Sequence, residues 1–273
     1  MEVYGKRHSL QRREVSHALN KYFHLLSWKC GEKILEISPG DGTLTMDLLI
    51  PLLPKNFKHY IGINYIEGVT AVAQANFPND KYPKITFVNC DIQEEFPGYS
   101  NEFDHVFALL CLHWMWNVRT AIQNIFEMMK PGGEILASFA EVSPVSDIFH
   151  NLSRNPKWAP YGHEKHISTF FYSENPLKDW IQTFTEAGFV DIKTSCEERT
   201  IEFPTEKNFE EVFLAIDPIF RKIPAEKKEE YLKDYFEEIR RGKMNYVEYS
   251  NELGKSVHKT TFNCVFLIAK KPS

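Results

Sequence analysis

No stretch of this sequence is apolar for long enough to cross a bilayer. The longest nearly apolar run, VFALLCLHWMW at residues 106–116, falls far short of the ~20 residues a spanning helix needs. The start of the chain lacks a basic-then-apolar signal pattern and turns polar at once, which predicts a cytoplasmic protein with no stable membrane insertion. Positive charge is short too. A formal net charge of -5 leaves no basic footprint for nucleic acid, and only small clusters such as KRHSLQRR at residues 6–13 are basic. Cysteine is sparse: there are five, with no C-x-x-C pair, so Cys30, Cys90, Cys111, Cys196 and Cys264 read as reduced thiols. No His, Cys or carboxylate group has zinc-ligand spacing. His163 and His166 in YGHEKH read as a polar loop, and no metal is expected. There is no internal repeat and no low-complexity linker.

What is present begins with aromatics. Phe, Tyr and Trp make up 14% of the chain, with 21 Phe, many of them late. That density fits an apolar pocket or, equally, a Phe-rich core. Residues 8–27 carry Leu10, Val15, Leu19, Tyr22 and Leu26 at helical spacing. Strands and helices then alternate. KILEIS, HYIGIN, ITFVNC and FDHVFALL read as strands; LTMDLLIPLL, GVTAVAQANF and VRTAIQNIFEMMK read as helices, the first of them stopped by prolines; PGGEILASFA reads as a turn becoming a strand. Alternation at this spacing is the mark of a parallel sheet with helices on both faces, and unalternating apolar strands fit a sheet buried on both sides.

After residue 140 the rhythm changes. Residues 141–172 read as irregular, NPLKDWIQTFTEAGF as a helix closed at Gly188, and VDIKTSCEERTIEF as a long strand. Two amphipathic helices are expected within 207–241, and HKTTFNCVFLIAKK closes the chain as a strand. The expected fold is a Rossmann-like, doubly wound α/β sheet, mostly parallel, with an antiparallel edge hairpin and helical cap insertions. One domain is expected, with a core at 28–140, 176–203 and 256–271 and cap segments at 1–27, 141–175 and 204–255.

The loop after the first strand, E-I-S-P-G-D-G at 36–42, offers Gly40 and Gly42 where a dinucleotide fingerprint has three glycines. A bare G-x-G is also a common structural turn. Here it follows a strand and precedes a helix. A second strand ends at Asn64, and a third at Cys90-Asp91-Ile92. Those ends lie side by side at the carboxyl edge, the expected ligand crevice of an open α/β sheet.

The segments ILEISPGDG, FVNCDI, FDHVFALLCLHW and MMKPGGEILASFA together resemble the successive motifs of class I S-adenosylmethionine-dependent methyltransferases. With YGKRHSLQRREV, the LHW segment and the later insertion, nearly the whole chain resembles the insect juvenile hormone acid O-methyltransferases. The resemblance implies an S-adenosylmethionine-dependent carboxyl O-methyltransferase that esterifies a lipophilic sesquiterpenoid acid such as farnesoic acid or juvenile hormone acid. It implies cofactor contacts at Glu36, Ser38, Gly40, Asp41, Gly42, Asn64, Tyr65, Asp91, Ile92 and Leu110. It assigns the substrate carboxylate to Gln11 and Trp114, with His113 as a third donor or packing partner. From the residues alone, Gln11 is also an exposed position on an amphipathic helix, and Trp114 a core aromatic. The implied partner is a small lipophilic acid, and a homodimer is compatible with it.

The chemistry suits the residues. A carboxylic acid is already ionised at neutral pH. It needs no general base, only alignment and exclusion of water, and no nucleophile–base constellation stands out. Three positions depart from the family: Ser38 replaces a glycine, Asn64 an acid, and Ile66 a helix-capping Ser. Asn64 predicts a weaker grip on the ribose, tightened by Asn64→Asp. Two other readings stay open: a paralogue that binds lipophilic acids with little turnover, and an NADP-dependent reductase, which the KPGG turn and the missing third glycine oppose. The substrate is expected under the cap, walled by Phe139, Phe149, Trp158, Phe170, Phe171, Phe213 and Phe220.

Overall fold

Five short apolar runs form a parallel sheet in the computed structural model, which describes residues 9–242, 244–250 and 254–273. They are β1 (Lys33–Ile37), β2 (His59–Asn64), β3 (Ile85–Asn89), β4 (Phe103–Leu109) and β5 (Met129–Ala140). Their order is β3-β2-β1-β4-β5, parallel at every pairing. Successive strand side chains point to opposite faces. Leu35, Ile37, Ile61 and Ile63 therefore feed one core, and Ile34, Tyr60 and Phe87 the other. The chain winds outward in both directions from β1, so the crevice opens where β1 and β4 part at the carboxyl edge.

Helices α1 (Ser9–Tyr22), α2 (Glu67–Asn76), α3 (Val118–Met128), α4 (Ser146–Arg154), α5 (Pro176–Glu186), α6 (Glu206–Ala215) and α7 (Lys228–Arg241) complete the layers and the cap. In α3 the buried stripe Val118, Ala121, Ile122, Ile125 and Met128 follows helical spacing. In α5 the Asn175 side chain accepts from the Lys178 N–H, and Pro176 opens the first turn. Gly188 follows at φ +104°, and a Cβ there would stand 2.8 Å from Phe126 Cζ, so only glycine closes this helix.

Several details differ from the sequence reading. Residues 44–53 do not form one regular helix. A π-helical turn at Thr45–Leu49 runs into a 3-10 turn at Ile50–Leu52, where Pro51 has no N–H to continue a ladder. The antiparallel edge of two late strands is present as expected, with one strand added. β8 (Lys255–Lys270) lies between β5 and β6 (Val190–Phe203), antiparallel to both. Its first half also pairs with β7 (Asn245–Ser250), a strand the sequence reading missed. A helix, α4, stands within the stretch expected to be irregular.

The aromatic walls also need correction. Phe139 and Phe170 pack with Trp180 in the core beneath the sheet. Phe149, Trp158 and Phe213 form a separate cap core with Phe203, Phe209, Tyr231 and Tyr235, and Phe220 packs against it. These rings fill the space between packed elements at the density of a protein interior.

Candidate functional site

The glycine loop is built from unusual backbone. β1 ends at Ile37, and Ser38 (φ 56°), Gly40 (φ 65°) and Gly42 (φ 79°) all lie in the left-handed region. Ser38 is held there by its N–H donating to the Ile63 carbonyl at 2.7 Å, at a strain on the order of 1 kcal/mol. Pro39 sits over β2, where a Cβ on Gly62 would come within 2.8 Å of the proline ring. Gly42 is equally confined, because a Cβ there would lie 2.8 Å from Phe87 and 2.9 Å from Phe77. Gly40 is the opposite case: a Cβ would meet nothing within 4 Å. Its open side carries no side chain, as close approach of a ligand requires.

Asn64, at the end of β2, is 4% exposed. Its Oδ1 accepts from the Gly40 N–H at 3.1 Å, and its Nδ2 donates to the Gly40 carbonyl at 2.9 Å. Tyr65 follows and is half exposed. The Asp91 carboxylate accepts from Gln93 N–H and Nε2 at 3.0 and 3.1 Å. A shallow crevice lies between these strand ends, lined by Ser38, Tyr65, Asp91, Ile92, Gln93 and Met115 among others. Ser38, Tyr65, Asp91 and Ile92 were expected there; Gln93 and Met115 were not, although Gln93 directly follows the Asp91-Ile92 pair.

Glu36 is buried below the loop. Its Oε2 accepts from Tyr60 Oη at 2.6 Å and Thr45 Oγ1 at 2.8 Å. Burial pushes its carboxyl up to about 7, against the pull of those two bonds. Tyr60 and Thr45 were missed in the sequence, where nothing marks them as partners of an acid. Asp41 turns back to accept from the Thr43 N–H at 3.0 Å.

On the far side of β1, Leu110 (φ 53°) turns the chain out of β4, with its N–H donating to the Ser138 carbonyl at 2.7 Å. That turn carries the LHW segment onto a 3-10 turn, Leu112–Trp114. His113 is buried, and desolvation lowers its pKa to about 3. Its Nδ1 accepts from the Ala140 N–H at 3.3 Å, so the ring is neutral and its proton is on Nε2. Trp114 is 37% exposed and packs beside His113, ring centroids 4.9 Å apart. Gln11 lies on α1, which an Arg12–Asp47 ion pair ties to the turn following the glycine loop. Its Oε1 is buried and has no hydrogen-bond partner among the described residues.

The sequence pattern of the methyltransferase domain family matches residues 35–137, from β1 into β5. The chain is 26% identical to a juvenile hormone acid O-methyltransferase of Bombyx mori over 99% of this chain and 96% of the relative. It is 25% identical to a protein of the same description from Drosophila melanogaster, over 86% and 80%. The chain carries a methyltransferase domain, and S-adenosylmethionine is its cofactor. The fold of this methyltransferase is shared with the YcgJ protein of Bacillus (TM-score 0.62, 16% identical, 94% of this chain and 99% of that one). It is also shared with a phosphoethanolamine N-methyltransferase of Haemonchus contortus solved with S-adenosylhomocysteine (TM-score 0.53, 20% identical, 94% and 53%).

The residues of the methyltransferase's crevice suit its cofactor. Gly40 leaves open the space a Cβ would fill, Asp91 and Tyr65 line the crevice at the neighbouring strand ends, and no phosphate cradle is needed for a ligand without phosphate. Among the described residues no group of acids, histidines and cysteines is placed to hold a metal ion, and no helix is long and apolar enough to cross a membrane.

Proposed function

We propose that this methyltransferase esterifies the carboxylate of a small lipophilic acid, with a sesquiterpenoid such as farnesoic acid or juvenile hormone acid as the best candidate. One observation carries the reading: the similarity to the Bombyx mori juvenile hormone acid O-methyltransferase spans 99% of this chain and so includes the cap segments outside the shared domain. The geometry supports it. The cofactor, when bound, supplies an electrophilic methyl group. The ionised acid is already nucleophilic, so the protein has to align it and keep water out.

His113 suits that task. It is neutral and presents Nε2–H, so it can hold a carboxylate oxygen without the strong ground-state stabilisation of a cationic side chain. Trp114 offers an indole N–H beside it, and Gln11 would donate through its amide NH2, since its oxygen can only accept. Radiolabelled methyl transfer to farnesoic acid and to saturated fatty acids of similar length tests the proposal. Methylation of the fatty acids without farnesoic acid would remove the sesquiterpenoid reading. No methylation of any carboxylic acid would remove the esterification reading. Farnesoic acid that binds without being methylated would instead point to a paralogue that binds acids with little turnover.

A further inference from the structure

We propose that Asn64 is a positioning residue: it latches the glycine loop through both halves of its carboxamide, and the ribose hydroxyls of the cofactor are not what residue 64 recognises. The proposal rests on S-adenosylmethionine as cofactor and is independent of which acid is methylated.

The observation is a closed ring of two hydrogen bonds between one side chain and both peptide groups of one residue. Gly40 N–H donates to Asn64 Oδ1 at 3.1 Å, and Asn64 Nδ2 donates to the Gly40 carbonyl at 2.9 Å. A carboxamide, with a donor and an acceptor on one planar group, completes such a ring, and an ionised carboxylate, which only accepts, does not. The Asn64 backbone is fixed as well, because its carbonyl accepts from Cys90 N–H and from Asn89 Nδ2, both at 3.0 Å. The latch therefore stands on a rigid base.

It also has a purpose. Gly40 is left-handed and uncovered, and two residues earlier the non-glycine Ser38 is held at φ 56°. A loop with that strain, in open space, relaxes unless something fixes it. Asn64 keeps Gly40 in one orientation before the cofactor arrives, which lowers the ordering cost of binding. A carboxylate at 64 cannot do this. It would accept from the Gly40 N–H but set its second oxygen against the Gly40 carbonyl.

A protonated carboxylic acid, by contrast, again has a donor and an acceptor. This makes the pH dependence of Asn64→Asp decisive. Cofactor affinity is measured by calorimetric titration of S-adenosylhomocysteine from pH 5 to pH 8, with the wild type in parallel to remove titrations common to both. The latch predicts that Asn64→Asp binds about tenfold more weakly at pH 8, and that the deficit shrinks as pH falls and the introduced carboxylate protonates. A ribose-reading residue predicts the reverse, because the ionised form is the better acceptor. Equal or tighter binding at pH 8, or a deficit that grows on acidification, overturns the proposal. A second measurement does not depend on that variant. Removing the 2′-hydroxyl from S-adenosylhomocysteine is expected to cost the same fold in Asn64→Ser as in the wild type. A smaller loss in the variant would mean that residue 64 and the hydroxyl interact, and would overturn the proposal.

Discussion

Tyr60 on β2 donates its hydroxyl proton to Glu36 on β1 across 2.6 Å, in the buried layer directly beneath the glycine loop. The acid is thus an internal brace with Thr45 as its second donor, and burial raises its pKa to about 7. Between its unfolded value near 4.5 and about 7, the folded chain keeps a proton that the unfolded chain has released. The stability Glu36 contributes is therefore full below pH 4.5 and lost as pH rises through 7. Glu36→Gln removes that dependence. Relative to the wild type, the Gln variant should gain about 3 kcal/mol between pH 5 and pH 8 in urea-unfolding measurements. A constant difference across that range would mean that Glu36 does not keep its proton in the folded state.

The two loop glycines should fail in different ways. Ala at Gly42 drives a Cβ within 3 Å of Phe87 and Phe77, in a left-handed backbone. Gly42→Ala is therefore expected to destabilise folding by about 2–3 kcal/mol, read as a lower urea midpoint. At Gly40 the protein itself leaves room, so Gly40→Ala should cost folding only the left-handed strain, about 1 kcal/mol. Its larger effect should be on S-adenosylmethionine binding, weakened at least tenfold because the methyl points into the ligand's space. Equal effects of the two substitutions on both measurements would contradict this division.

Much of the sheet was legible because its signals are local. KILEI, HYIGIN and FDHVFAL are mostly apolar runs without a polar alternation, which marks a strand buried on both faces. Asp91 and Ile92 stood out as a strand end, whereas Ser38 and Tyr65 as cofactor contacts came with the family resemblance; all four line the crevice. What stayed hidden depends on long-range partners. NYVEYS is short and half polar, and becomes β7 only because β8 offers it an edge. The aromatics of the cap announced burial but not which side of a helix they would take, so rings expected along a pocket turned out to hold α4, α6 and α7 together. Asn64 was placed correctly at a strand end, yet its pairing with Gly40 depends on a loop conformation that no neighbouring residue encodes.

Glu197 on β6 anchors the helix that carries Gln11. It accepts from His17 at 2.9 Å, Lys21 at 2.8 Å and Tyr22 at 2.7 Å, all on α1. Burial alone would raise its carboxyl, but the bonds from Lys21, Tyr22 and His17 outweigh that and hold it at about 2. A depressed pKa stabilises the fold above the unfolded value, and that contribution is lost as pH falls towards 2. Glu197→Gln should cost about 1–2 kcal/mol at pH 7, with the gap to the wild type closing below pH 4. Amide hydrogen exchange should rise across α1 in the variant. Unchanged exchange there would show that the helix is held by other contacts, such as Glu14 with Arg199 at 2.8 Å.

The pH–rate profile separates two roles for His113. Desolvation lowers its pKa to about 3, so it stays uncharged throughout the range in which the protein is folded. As a neutral donor to a carboxylate it contributes no limb to the profile between pH 5.5 and 9. Any limb near 7 should instead belong to Glu36 and disappear in Glu36→Gln. His113→Phe, which removes the Nε2 donor, is expected to lower kcat/KM on the order of 10²-fold for an acid substrate while leaving S-adenosylhomocysteine affinity within about twofold. His113→Asn restores a neutral N–H and should recover part of the loss. A limb near 6.5 that survives in Glu36→Gln and vanishes in His113→Asn would mean that the imidazole ionises during turnover. In that case His113 would be acting as an acid or base, a role that a simple ester-forming methyl transfer does not require.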